Sequence, residues 1–200
     1  MEKKENRYAD YEDNWPVFEK LLGWMRYMKI RKYIFVVSNP ICVDIGCGFN
    51  GRFLRNIQKQ IGGGDGFDIR ANEATYGNIR IINNSRYDGR LPLKDDKADC
   101  VFMLAVLEHL PVHTFLVEEA VRVLKKGGRL ILTTPTPTAK PLLEFLSYRL
   151  HVISEASIRE HKHYYTKKEL LACMKKHNCK IVTYKTFQFG WNQLLVGEKE

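Results

Sequence analysis

Asp44-Ile45-Gly46-Cys47-Gly48-Phe49-Asn50-Gly51 sets a carboxylate two residues ahead of a Gly-x-Gly-x-x-Gly loop, directly after the apolar run Ile41-Cys42-Val43. Glycine has no side chain, so such a loop turns tightly and lets a ligand lie against bare backbone. An apolar strand feeding it predicts a nucleotide-like cofactor at the strand's carboxyl end. A second acid, Asp68, closes Gly66-Phe67-Asp68-Ile69 at about 20 residues past the loop, where nucleotide folds set the carboxylate that accepts from ribose hydroxyls. A third group is built on imidazole: His109 follows Glu108, and His161 and His163 stand just ahead of Tyr164. A neutral imidazole can draw the proton from a hydroxyl nucleophile, and a phenol can orient one.

Two cofactor classes use a loop of this spacing, and Asp44 separates them. A dinucleotide would bring its pyrophosphate against the loop, where a nearby carboxylate repels it. S-adenosylmethionine brings an ammonium and a sulfonium, which the same carboxylate attracts. Here the chain resembles the class I S-adenosylmethionine-dependent methyltransferases of the small-molecule type, whose first motif is acid-x-Gly-x-Gly-x-Gly; the last glycine is displaced by one, to Gly51.

Further landmarks carry the resemblance across roughly residues 41 to 172. They are Leu91-Pro92-Leu93 before the run to Met103, then Ala105-Val106-Leu107-Glu108-His109-Leu110-Pro111, and Val121 to Pro135 with its Gly127-Gly128 turn. His161-Lys162-His163-Tyr164-Tyr165-Thr166-Lys167-Lys168-Glu169-Leu170 is similar to the segment that approaches the acceptor in small-molecule methyltransferases. The resemblance implies S-adenosylmethionine held by Asp44, Gly46, Cys47, Gly48, Gly51, Asp68, Ile69, Leu104 and Glu108, with Asp88 toward the adenine amino group. It implies catalytic candidates His161, His163, Tyr164 and His109, the first two ranked above His109 because a histidine after Glu108 accompanies many different acceptors.

The elements that must position these groups read from periodicity. Short apolar runs at 41–45, 64–69, 79–83, 98–104 and 129–134 alternate with stretches of helical period such as 113–126, where Phe115, Leu116, Ala120, Val123 and Leu124 share a face. The alternation predicts an α/β fold, a Rossmann-like, mostly parallel sheet of seven strands with helices on both faces. Lys180 to Tyr184 and Trp191 to Val196 follow with no helix between them, so they are expected to close the sheet as an antiparallel hairpin. Ligands of such a sheet bind where strand order reverses, between the first strand and the run 98–104. Thr166 with Glu169 three residues on forms a capping box and starts a helix.

The division expected is an amino-terminal helical arm or lid over 1–38 and a methyltransferase domain over 39–200, with an insertion at about 135–160. A chain of 200 residues, 44% hydrophobic, holds one core and no second recognition domain. A charged amino terminus and the lack of a membrane-length apolar run point to a cytoplasmic protein. Cys42, Cys47, Cys100, Cys173 and Cys179 include no Cys-x-x-Cys pair and read as small buried hydrophobes, so neither metal nor disulfide is expected. Residues 15–35 outline an amphipathic helix, read as a cap on the sheet ahead of a peripheral membrane contact.

The net charge of +9 raises nucleic acid as an acceptor. Leu104-Ala105-Val106-Leu107 stands where exocyclic-amine methyltransferases carry Asp/Asn-Pro-Pro-aromatic, which argues against a base-directed reaction. The leading expectation is O-directed methyl transfer to a small-molecule, lipid or glycan-intermediate acceptor. Alternatives are an RNA-directed methyltransferase, a catalytically silent binding subunit, and an NAD-dependent oxidoreductase.

Overall fold

The computed structural model describes residues 17–85, 90–110, 114–149 and 155–200. The apolar runs become strands β1 (Ile41–Ile45), β2 (Gly63–Asp68), β3 (Ala74–Tyr76), β4 (Ile79–Asn83), β5 (Ala98–Leu104), β6 (Leu124–Pro135), β7 (Cys179–Phe187) and β8 (Asn192–Lys199). They form one sheet in the order β3-β4-β2-β1-β5-β6-β8-β7. The strands from β4 to β6 run parallel, while β3 is antiparallel to β4 and the β7–β8 hairpin is antiparallel on β6. The sheet therefore has eight strands where seven were expected. The added one, β3, spans three residues on the edge, too short for alternation to reveal.

Strand periodicity splits the core into two layers. Val43, Ile45, Val101, Met103, Leu130 and Leu132 face one way, into a cluster with Val117, Ala120, Leu170 and Met174. Cys42, Cys100, Phe102 and Ile131 face the other, against Ile30, Ile34, Leu54 and Ile57. Helices α1 (Val17–Ile34) and α2 (Arg52–Ile57) thus cover one face; α3 (Thr114–Val123) and α6 (Lys167–Lys176) cover the other. Full burial of an isoleucine contributes about 1.5–3 kcal/mol, so Ile30 and Ile34, both at 0% exposure, anchor the carboxyl half of α1.

The helix expected over 113–126 ends at Val123, because Leu124 already pairs with Ala98 in the sheet. Phe115, assigned to its buried face, is 46% exposed; Val117 takes that place. The capping box forms at Thr166, whose hydroxyl accepts from Glu169 N while the Glu169 carboxylate accepts from Thr166 N. In the insertion, α4 (Lys140–Tyr148) buries Ser147 but leaves Phe145 and Tyr148 largely outside, and α5 (Glu155–Arg159) leads back to the sheet edge. All five cysteines are buried thiols.

Candidate active site

Strand order reverses between β1 and β5, and the carboxyl ends of β1, β2 and β5 open there. The loop after β1 is pinned to β2, since Gly46 N and Cys47 N both donate to the Phe67 carbonyl, at 2.7 and 3.1 Å. Gly46, Gly48 and Gly51 have φ of 79, 76 and 59°, the left-handed region that side chains resist. A Cβ on Gly46 would lie 2.4 Å from Val106 Cγ2, so the loop and the chain leaving β5 are in contact through the missing side chain. The Cys47 thiol is tucked beneath Gly66, leaving only its backbone on the loop surface.

Asp68 is held from two sides: Gly48 N donates to one carboxylate oxygen at 3.1 Å and Arg70 N to the other at 2.8 Å. A carboxylate has roughly four lone-pair positions, so this grip fixes its orientation and keeps outward acceptors for a ribose diol. Ile69 beside it is 63% exposed. Asp68→Ala is expected to weaken S-adenosylmethionine binding by about 1.5–3 kcal/mol, the range for hydrogen bonds to a charged group. Calorimetric titration checks this, and an unchanged affinity would remove the ribose role.

Asp44 is 2% exposed. Burial, and then the Asp68 charge across the loop, push its carboxyl well above the usual range, while Arg26 on α1 pulls it back. Two carboxylates thus strain against each other at the glycine loop. The ammonium and sulfonium of S-adenosylmethionine would relieve that strain, whereas a pyrophosphate would add to it.

A second cluster of candidate residues grows from the exit of β5. Ala105 N donates to Thr133 O, and the chain turns through Leu107–His109 in a single 3₁₀ turn. That turn buries Glu108 at 1% exposure, with its carboxylate accepting from Thr134 Oγ1 at 3.0 Å. Burial pushes Glu108 up to about 7. Lys162 N and His163 N both donate to the Glu108 carbonyl, at 2.6 and 3.3 Å, which clamps the segment before α6 onto the turn. His161 is thereby brought edge-on to His109, ring centroids 4.8 Å apart, and its Nδ1 shares a 2.9 Å hydrogen bond with Tyr164 Oη. Burial lowers both imidazoles, His161 to about 4, so both rings are uncharged at neutral pH. It raises Tyr164 to about 12, keeping the phenol protonated.

Of the expected residues, the structure brings Asp44, Gly46, Gly48, Asp68, Leu104, Glu108, His109, His161 and Tyr164 to one edge of the sheet. His163 is not among them: its Nε2 pairs with Glu169 at 2.9 Å and its ring lies against Tyr165. The glutamate of the capping box that starts α6 holds it there, away from the His109–His161 pair. Asp88 lies outside the described residues. Arg26 on α1 carried no sequence signal for the site, yet its charge reaches both Asp44 and Glu108. Thr134, buried against Glu108, and the exposed ion pair of Arg70 with Glu160 at 3.5 Å also carried no sequence signal, since neither spacing nor residue type marks partners that are distant in the chain.

Comparison with known proteins agrees with this fold. The family model described as methyltransferase domain matches residues 23–184. A Caenorhabditis elegans protein named sterol 4-C-methyltransferase strm-1 is 31% identical over 112 residues, 52% of this chain and 33% of that protein. The aligned stretch thus spans about a third of that relative's length. An S-adenosylmethionine-dependent methyltransferase from Mesorhizobium loti superposes with a TM-score of 0.67 at 16% identity, covering 88% of this chain and 98% of that one. A chain of the complex formed by the Haloferax volcanii Trm112 methyltransferase activator gives 0.70 at 16%, covering 96% and 93%. With the family matched over most of its length, its sheet order and its glycine loop in place, the chain belongs to the methyltransferase-domain family.

Proposed function

We propose that this enzyme methylates a hydroxyl group on a small amphiphilic acceptor, a lipid or lipid-linked glycan intermediate. The observation that carries the reading is the meeting of Glu108, His109 and His161, whose ligating atoms lie within 4.8 Å of one another at the edge of the sheet that holds Asp44 and Asp68. When bound, S-adenosylmethionine supplies an electrophilic methyl, transferred as a C–O bond forms and the C–S bond breaks, with the thioether leaving. The chain's own task is to align the acceptor and remove its proton. In the tautomer that donates from Nδ1 to Tyr164 Oη, His161 offers Nε2 to the hydroxyl proton. Thr134 fixes Glu108, and the Glu108 carbonyl fixes the His161 segment.

The amphiphilic character of the acceptor is supported by the outer face of α1. Val17, Leu21, Trp24 and Met28 recur at helical spacing and are 83, 49, 58 and 41% exposed. A projection at about 100° per residue sets Lys20 and Arg31 on one flank of this stripe and Lys29 and Lys32 on the other, all exposed. An apolar stripe between basic flanks suits the headgroup region of an anionic membrane. The tip of the β7–β8 hairpin adds Phe189, 87% exposed, and is tied to α1 by Gln188 Nε2 donating to Leu22 O at 2.9 Å. No helix among the described residues is long and apolar enough to cross a membrane, so the contact proposed is peripheral. The sterol in the name of the 31% identical relative supports the lipid character of the acceptor but not the hydroxyl, since that name places the methyl on carbon.

The test uses S-adenosylmethionine labelled in its methyl group, offered with total lipid extract, total RNA or a water-soluble metabolite pool, with anionic and zwitterionic vesicles compared by flotation. Label in an organic-phase ether or ester, with flotation on anionic vesicles that Trp24→Glu reduces at least fivefold, is the expected result. Label confined to RNA or to water-soluble products overturns the acceptor class.

A further inference from the structure

We infer that Glu108, His109 and His161 form a binding site for a divalent transition-metal cation, an inference that rests on reading this cluster as the acceptor end of the methyltransferase site. Sequence alone pointed to no metal, because attention fell on the cysteines, which are dispersed and buried.

Two imidazoles and a carboxylate are a donor set suited to Mn²⁺, Fe²⁺, Co²⁺ or Zn²⁺ rather than to Mg²⁺ or Ca²⁺, which favour all-oxygen shells. Metal ligands are also fixed from behind, by partners that orient the ring or carboxylate. Each of these three has such a partner. Thr134 Oγ1 donates to Glu108 at 3.0 Å, and Tyr164 Oη meets His161 Nδ1 at 2.9 Å, leaving His161 Nε2 open. The backbone of Glu160 hydrogen-bonds to the His109 ring. His109 Nδ1 is buried with no hydrogen-bond partner among the described residues, and in the tautomer protonated at Nε2 it keeps a bare lone pair. An acceptor nitrogen buried without a donor is unfavourable unless something else fills the role; a cation does.

The surrounding charge has the matching sign. The carboxylates of Asp44, Asp68, Glu108 and Glu160 face the cluster or its near neighbours, against the guanidiniums of Arg26 and Arg70. Bonds of about 2.0–2.2 Å set ligand atoms about 3–3.5 Å apart, so the cluster must contract from its 4.8 Å spread. His161, half-buried on the segment before α6, can close that gap by side-chain rotation. Three protein ligands leave positions open on the cation. With the cation bound, an acceptor hydroxyl on such a position would be acidified and would pass its proton to water, His161 Nε2 then serving as ligand in place of base.

The probe is Co²⁺, followed by its visible absorption in protein stripped with chelator and desalted, with Mn²⁺ titrated calorimetrically in parallel. One Co²⁺ per chain at micromolar concentration is expected, weakened at least tenfold in His109→Ala, His161→Ala and Glu108→Gln and unchanged in His177→Ala, a residue whose backbone N–H caps the far end of α6. Far-UV circular dichroism and S-adenosylmethionine titration confirm that each variant is folded. Binding only at millimolar Co²⁺, or binding indifferent to His109→Ala and His161→Ala in folded protein, overturns the site. Undiminished hydroxyl methylation in excess chelator also overturns it while leaving the proposed function standing. Tight Co²⁺ binding without any hydroxyl methylation supports the site and removes the proposed function.

Discussion

Valine in place of Gly46 is expected to lower S-adenosylmethionine affinity by more than about 100-fold, roughly 3 kcal/mol. Two independent effects act together. The backbone at Gly46 has φ +79°, which costs a β-branched residue about 1–3 kcal/mol where it is held at all. The added Cβ alone would lie 2.4 Å from Val106 Cγ2, before the two methyl groups are counted. Relief by backbone rotation breaks the bonds from Gly46 N and Cys47 N to Phe67 O; relief by moving Val106 shifts the turn that carries Glu108. Either way the cofactor loop and the acceptor end lose their register. At about 2–4 °C per kcal/mol for a chain of this size, the melting temperature should fall by several degrees while the fold survives. Calorimetry and thermal melts check both, and Gly46→Ala provides a milder version should the valine variant not fold. A folded variant with affinity within threefold of the parent would mean that the loop does not hold the cofactor.

The second large effect is expected at His161. Its replacement by alanine should reduce turnover by about 100-fold or more, the usual share of a group that handles the acceptor proton, with S-adenosylmethionine affinity unchanged. The asymmetry follows from geometry. His161 contacts His109 and Tyr164, whereas the cofactor carboxylates Asp44 and Asp68 are held by the β1 loop and β2. Tyr164→Phe, which removes the hydroxyl that orients the His161 ring, should give a smaller loss of about tenfold in kcat. Single-turnover kinetics with a cofactor titration separates the cases. Loss of cofactor affinity along with turnover would make His161 a structural residue of the clamp on the Glu108 carbonyl.

The legible parts of this protein are those written in short range. Short apolar runs mark the strands, and glycines that take positive φ mark the loop after β1. Thr166 with Glu169 marks the start of α6 because a capping box is complete within four residues of chain. The three-residue strand β3 escaped because it is shorter than one readable alternation. The helix over 114–123 was read too long because Leu124 is as apolar in the sheet as it would be on a helix.

Sequence by itself determined the class of fold, the cofactor class and the family, because each depends on local backbone chemistry: a strand, a tight glycine turn, and an acid at the end of the next strand. Only the tertiary structure decided which histidines meet beside Glu108. His109 and His161 are far apart in the chain and meet because two backbone N–H groups dock on the Glu108 carbonyl, a contact with no sequence signature. Two residues on, His163 carries the same ring and would have served as well by composition, but the capping carboxylate of Glu169 takes it away. Arg26, one cation among several on α1, becomes part of the site because its turn of helix faces Asp44 and Glu108. The physical reason is the same throughout: a local motif specifies conformation, whereas a side chain's partner is chosen by packing between elements distant in sequence.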